Sequence, residues 1–287
     1  MRPLGEIEFA NGAGAMAVSG AFGDQRACAA IVGFVDLRCG DGIAAYLDRA
    51  LQSALDRLRG TRQGAAQHPS EAPYRYLPGR PRRSMLASPQ FRAGFRHLAP
   101  LDLSFDAAVF HHQLPELACV ADEFPEATIT VNHCGLAVAI DTDAADHAEV
   151  FAEWCEALLQ IAQRPNVLCK IRGLELPFWG FSFEDRTDTI GSLELATAWA
   201  PYVETAIETF GADCCMMASD YPPDSNSSGF VPLWNAFKSI VRSAMPSSTT
   251  PQPGPTALNR SGSEIGHLPT AARRHGNALP HDIATPR

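Results

Sequence analysis

Six short strand-like segments, five of them apolar runs, do most to narrow what this chain can fold into. They span residues 28–36, 58–62, 103–111, 128–133, 166–171 and 213–219. Between them lie amphipathic stretches at 42–58, 113–124, 146–164 and 193–210 and a short helix that Ser88-Pro89 opens through Arg96, and a further amphipathic stretch at 231–242 follows the last run. Gly211 follows the fourth stretch at a natural helix-ending position. Strands that are apolar on both faces and alternate with helices predict a parallel α/β sheet covered on both sides. An open doubly wound sheet and a closed TIM-type (β/α)8 barrel both satisfy that pattern, and six strands are two short of a closed barrel.

The 287 residues carry a formal charge of −9. No Lys/Arg stripe is present to neutralise phosphates, which argues against a nucleic-acid partner. The nearest basic group, Arg80, Arg82 and Arg83, sits among prolines in a long irregular stretch, 63–88, and suits at most a small anion. No apolar run is long enough to cross a bilayer and no signal-peptide pattern opens the chain, so the expected location is cytoplasmic, without membrane association. Eight scattered cysteines lack any CxxC spacing and read as small buried hydrophobes in a reducing compartment. Beyond Ser243 periodic apolar content ends, which predicts a disordered tail.

Two runs end on residues suited to hydrolytic chemistry. Thr128–Val131 leads into Asn132-His133, and Cys214–Ala218 leads into Ser219-Asp220. If both are barrel strands, His133 and Asp220 emerge at the C-terminal rim, where such barrels build their sites. Each also has a plain structural reading: a hydrogen-bonded core histidine, and a turn aspartate ahead of Pro222-Pro223. His111-His112 closes another run; alternation lets only one point inward, and His111 is the choice. Arg62 and Arg172, near strand ends, have the chemistry to fork onto a substrate carboxylate, with Lys170 offset by one; surface salt bridges are the competing account. Asn11-Gly12-Ala13-Gly14 lacks the full pattern of a phosphate loop and is discounted.

Taken in order, GEIEFANG (5–12), CAAIVGFVDL (28–37), RGTR (59–62), LSFDAAVFHHQLPEL (103–117), ATITVNHCG (127–135), NVLCKIRGL (166–174) and CMMASDYPPD (215–224) resemble the amidohydrolase superfamily. The similar branch is the amidohydrolase-related (amidohydrolase 2) group, which contains pyrone-dicarboxylate, fucono- and sulfomuconolactone hydrolases. The resemblance implies a metal-dependent-hydrolase-like (β/α)8 barrel whose sixth strand ends in His133 and whose eighth ends in Asp220. It implies that Asp220 is the base that activates water against a lactone or similar, carboxylated cyclic ester. His133 then serves as oxyanion partner, and Arg62, His111 and Arg172 bind substrate. One divalent metal, Zn or Mn, would be held by His133 and Asp220; a metal-free site is the alternative. The implied partner is a small molecule, and a homo-oligomer is allowed.

The departures set further expectations. The HxH pair of the family's first strand is absent, and the second strand would precede the GEIEF-like segment, so the barrel is expected to lack its first two strands. The expected division is a truncated barrel domain over 1–242 and a low-complexity tail over 243–287, with both ends altered. The competing functions are an inactive barrel fragment and a related decarboxylase.

Overall fold

The computed structural model describes residues 3–54 and 56–244; the tail expected to be disordered lies, from residue 245 on, outside them. Six strands form one parallel sheet in chain order: β1 (Ile31–Phe34), β2 (Leu58–Gly64), β3 (Ser104–Ala108), β4 (Ile129–Asn132), β5 (Val167–Ile171) and β6 (Cys215–Met217). All six anticipated strands are present and none is added among the described residues. The sheet is the barrel type without closure, with β1 and β6 as its edges.

The connecting helices are α2 (Ala44–Ser53), α3 (Pro89–Phe95), α4 (Leu114–Glu123), α5 (Ala144–Ile161), α6 (Ser192–Phe210) and α7 (Phe230–Ala244). Their ends follow local chemistry. Ser88 caps α3 by accepting from Phe91 N at 3.2 Å, Asp143 caps α5 through Ala145 N and Asp146 N, and Gly211 closes α6 at φ +81°. Helix α2 stops short of the anticipated Leu58, which begins β2 instead. Among the described residues no helix is long and apolar enough to cross a membrane.

One helix was not anticipated. Pro3–Val18 forms α1 ahead of β1, although Gly5, Gly12 and Gly14 depress its intrinsic helicity. Tertiary contacts override propensity: Ile7 lies against Gly33 so closely that a Cβ there would meet its Cδ1 at 2.8 Å. Asn11 donates to Ser53 O at 2.8 Å and accepts from Arg57. The Asn11–Gly14 stretch is thus helix, not phosphate loop.

The two faces of the sheet differ. Phe105 on the outer face packs edge-on to Phe91 and Phe95 of α3, and Cys215 donates to Ala206 O of α6. The inner face carries charge: Lys170 of β5 pairs with Asp106 of β3, reaching over Thr130 of β4, which is in register with Asp106. The two side chains are 9% and 3% exposed. Cys134, Cys169 and Cys215 are buried as expected, with the Cys169 thiol pushed up by its two sulfur neighbours and by burial. Cys39 and Cys119 are exposed, and Cys28, Cys155 and Cys214 only partly covered, so general burial of the cysteines does not hold. All eight are unpaired thiols.

Breaking the inner ion pair strands a buried charge. Lys170→Met is expected to destabilise the fold by about 3–5 kcal/mol. Adding Asp106→Leu should restore most of that loss, as read by urea denaturation of the single and double variants.

Candidate active site

The turn after β4 builds the centre. His133, Cys134, Gly135 and Leu136 take φ values of +54°, +49°, +75° and +37°, a run of left-handed backbone that is costly for the three non-glycine residues. It is held by Trp154 of α5, whose indole N–H donates to Cys134 O at 2.7 Å, and by Leu136 N donating to His133 O at 2.9 Å. The effect is to swing the His133 ring back over the strand end, where it is 3% exposed.

The turn after β5 supplies the wall. Gly173 has φ +63°, and a Cβ there would lie 2.7 Å from His133 Cδ2 and 3.4 Å from Asp220 Oδ2. Trp179 donates its indole N–H to Gly173 O at 2.8 Å. Asp220, three residues past β6, is 5% exposed; its Oδ2 lies 3.4 Å from His133 Nε2 and its Oδ1 pairs with Arg172. Asp220 N donates to Asp224 Oδ2 at 2.9 Å, which fixes the carboxylate-bearing turn.

Cations dominate the surroundings. Burial, with Arg172, Arg62 and Lys170 nearby, holds the His133 imidazole well below the usual histidine range, so it is neutral. Arg172 is pushed down to about 10 by burial and by Arg62. Arg62 lies within β2, its side chain half-buried and its pKa lowered by burial; among the described residues it makes no side-chain hydrogen bond or ion pair. Behind Asp220, Glu175 is raised to about 7 by burial against the opposing Ser228 hydrogen bond, and Asp224 to about 6 by burial.

The structure therefore brings together His133, Asp220 and Arg172, with Arg62 near enough to shift two of them. Arg172 and Lys170 are not surface salt bridges but inner pairs with Asp220 and Asp106. His111 does not join the group: β3 ends at Ala108, residues 111–113 form a 3-10 turn, and alternation no longer applies. Its Nε2 faces Glu153 of α5 at 3.6 Å. Asp106, Gly173, Glu175 and Asp224 were missed. Asp106 and Lys170 were visible as charges inside apolar runs.

A divalent ion fits this donor set poorly. His133 and Asp220 are two ligands where a catalytic zinc takes three from protein, one of them already paired with a guanidinium. Among the described residues no group of three or more His, Cys, Asp or Glu is arranged to hold a metal.

A family model described as Amidohydrolase (Amidohydro_2) matches residues 9–248. The chain belongs to the amidohydrolase family. It is 37% identical over 211 residues to the uncharacterized protein y4mH of Sinorhizobium fredii, covering 74% of this chain and 62% of that one. It is 26% identical over 200 residues to an L-fucono-1,5-lactonase of Burkholderia multivorans, covering 69% and 59%. The amidohydrolase chain thus spans about three fifths of the length of these curated relatives. Two crystal structures of a Burkholderia multivorans amidohydrolase share its fold. The form with bound HEPES gives a TM-score of 0.61 at 21% identity, covering 78% of this chain and 70% of that one. The zinc-bound form gives 0.60 at 20%, covering 82% and 72%.

Two outcomes follow for this amidohydrolase site. Gly173→Ala combines a left-handed backbone with a clash on His133, and is expected to cost about 2 kcal/mol or more and to displace the His133 ring. Thermal melts and the His133 imidazole NMR signals report the two effects. For Glu175 the folded pKa lies above the unfolded value of 4.5, so the native state binds the extra proton and stability falls as pH rises from 4.5 to about 7. Glu175→Gln should raise Tm by a few degrees at pH 8, with the gain vanishing near pH 4.

Proposed function

We propose that this chain hydrolyses a lactone or similar cyclic ester that carries a carboxylate. The observation that carries the reading is the contact of His133 with Asp220 at the C-terminal ends of β4 and β6, beside the unpaired Arg62. Membership in the amidohydrolase family and the likeness to an L-fucono-1,5-lactonase support it.

In this reading Asp220 takes a proton from water as the water oxygen attacks the ring carbonyl carbon. The neutral His133 donates an N–H to the developing oxyanion; both ring nitrogens lack a hydrogen-bond partner among the described residues. Collapse breaks the acyl–oxygen bond, and the ring oxygen leaves as an alcohol with the proton returned by Asp220. Arg172 supplies the counter-charge that holds the Asp220 carboxylate in place, and Arg62 forks onto the substrate carboxylate. No step is routed through a metal, because the donor set described above does not fit one.

A pH-stat screen of carboxylated and neutral lactones against wild type and Asp220→Asn tests this. Hydrolysis by wild type and a loss of about 10²–10⁴-fold in the variant are expected. Equal rates in the two proteins would remove Asp220 from the mechanism, and release of carbon dioxide in place of ring opening would favour a decarboxylase.

A further inference from the structure

The stretch 65–88, between β2 and α3, is not a loose loop. At one end Gln113 clamps it, accepting from Gln67 N at 2.8 Å and donating to Ala65 O at 2.9 Å. The Gln67 amide then binds the stretch to itself, donating to Pro81 O at 2.9 Å and accepting from Ser84 N at 3.2 Å. Across the rim Arg75 grips both carboxylate oxygens of Asp141, in the loop after β4, at 2.8 and 2.7 Å. Tyr76 meets Phe178, in the loop after β5, edge to face at 6.3 Å. Met85 and Leu86 bury the far end. The strap therefore runs from the end of β2 to the loops that follow β4 and β5, on the rim where His133 and Asp220 lie covered.

Its charge is opposite to that of the molecule. Four arginines and one glutamate give the strap a net +3 in a chain of −9. Arg75 is neutralised by Asp141 and Arg80 by Glu71. Arg82 and Arg83 are exposed, and among the described residues their side chains have no hydrogen bond or ion pair. They occupy the two positions between Pro81 and Ser84, the points gripped by Gln67, so their backbone is fixed while their guanidinium groups face solvent.

We propose that the strap is a cationic entrance that draws anionic substrate to the site, with Arg82 and Arg83 as its working charges. This rests on the reading of the site as one for a carboxylated substrate. Rim charges act on approach over about a Debye length, about 10 Å at 0.1 M salt, and raise encounter rates by about 10–10³-fold where the field is focused. Arg62, by contrast, acts once the substrate is seated.

The test is the double variant Arg82→Glu/Arg83→Glu, with Arg82→Gln/Arg83→Gln as the milder form. For a carboxylated lactone at low salt, kcat/KM is expected to fall about tenfold with kcat unchanged. The glutamine form should fall less, a neutral lactone should be unaffected, and the gap should close at high salt. Equal loss for neutral and anionic substrates, or no loss at low salt, would overturn the proposal. Calorimetric titration with glutarate separates it from the hydrolase reading. If no lactone is turned over, that reading fails, while salt-sensitive glutarate binding weakened by the variant still supports the strap. Glutarate binding that is unchanged overturns it.

Discussion

Two indole N–H groups hold the site in shape. Trp154 fixes Cys134 O and Trp179 fixes Gly173 O, one in each of the turns that present His133 and Arg172. Both turns use left-handed backbone, which costs roughly 1–3 kcal/mol at each non-glycine position unless the surroundings enforce it. The enforcement is aromatic packing: the two indoles meet at 6.1 Å, and the Tyr202 ring of α6 lies 5.2 Å from one and 5.0 Å from the other. Three separate segments thus converge on one cluster, and the positions of the rim residues follow from it. Strain of this kind, observed at a rim and enforced from outside, is what a site needing fixed geometry would be built on.

The inner face of the sheet adds a second constraint. Asp106, Thr130, Asn132 and His133 all keep buried polar atoms without a hydrogen-bond partner among the described residues, beside the Lys170–Asp106 pair. A purely structural core would fill such positions with aliphatic side chains, as the outer face does with Phe105, Ile129, Val131 and Ile171. Unmet donors and acceptors gathered on one face support the proposed reading of it as the face that takes polar ligands or water.

Much of this was legible in the residues. Five of the six strands were marked by their own apolar content, as expected for parallel strands buried on both faces, while β2, LRGTRQG, was placed without it. Helix α1 was not legible, since its stability comes from Ile7 meeting Gly33 and Asn11 meeting α2, contacts that local propensity does not encode. His133 and Asp220 could be picked out because each ends an apolar run. That Arg172 would pair with Asp220, rather than stand free for substrate, was not visible: it depends on the loop after β6 folding back through Asp224. Of the histidine pair, His111 is the buried member and His112 the exposed one, as alternation implied, but the 3-10 turn after β3 sets His111 against Glu153 of α5.

The electrostatics of the rim then make one connected case. Arg172 is already matched by Asp220 and Lys170 by Asp106, which leaves Arg62 as the inner cation whose desolvation is not offset by a contact partner. Its lowered pKa expresses that cost. A half-buried guanidinium without a contact partner is better stabilised when a negative charge is brought to it. In the proposed function a ligand carboxylate supplies that charge, and it approaches a molecule whose net charge is negative. On the proposed reading, the local reversal of sign at Arg82 and Arg83 lowers that obstacle at the rim, so an inner cation and an outer basic strap would answer the same requirement at two distances.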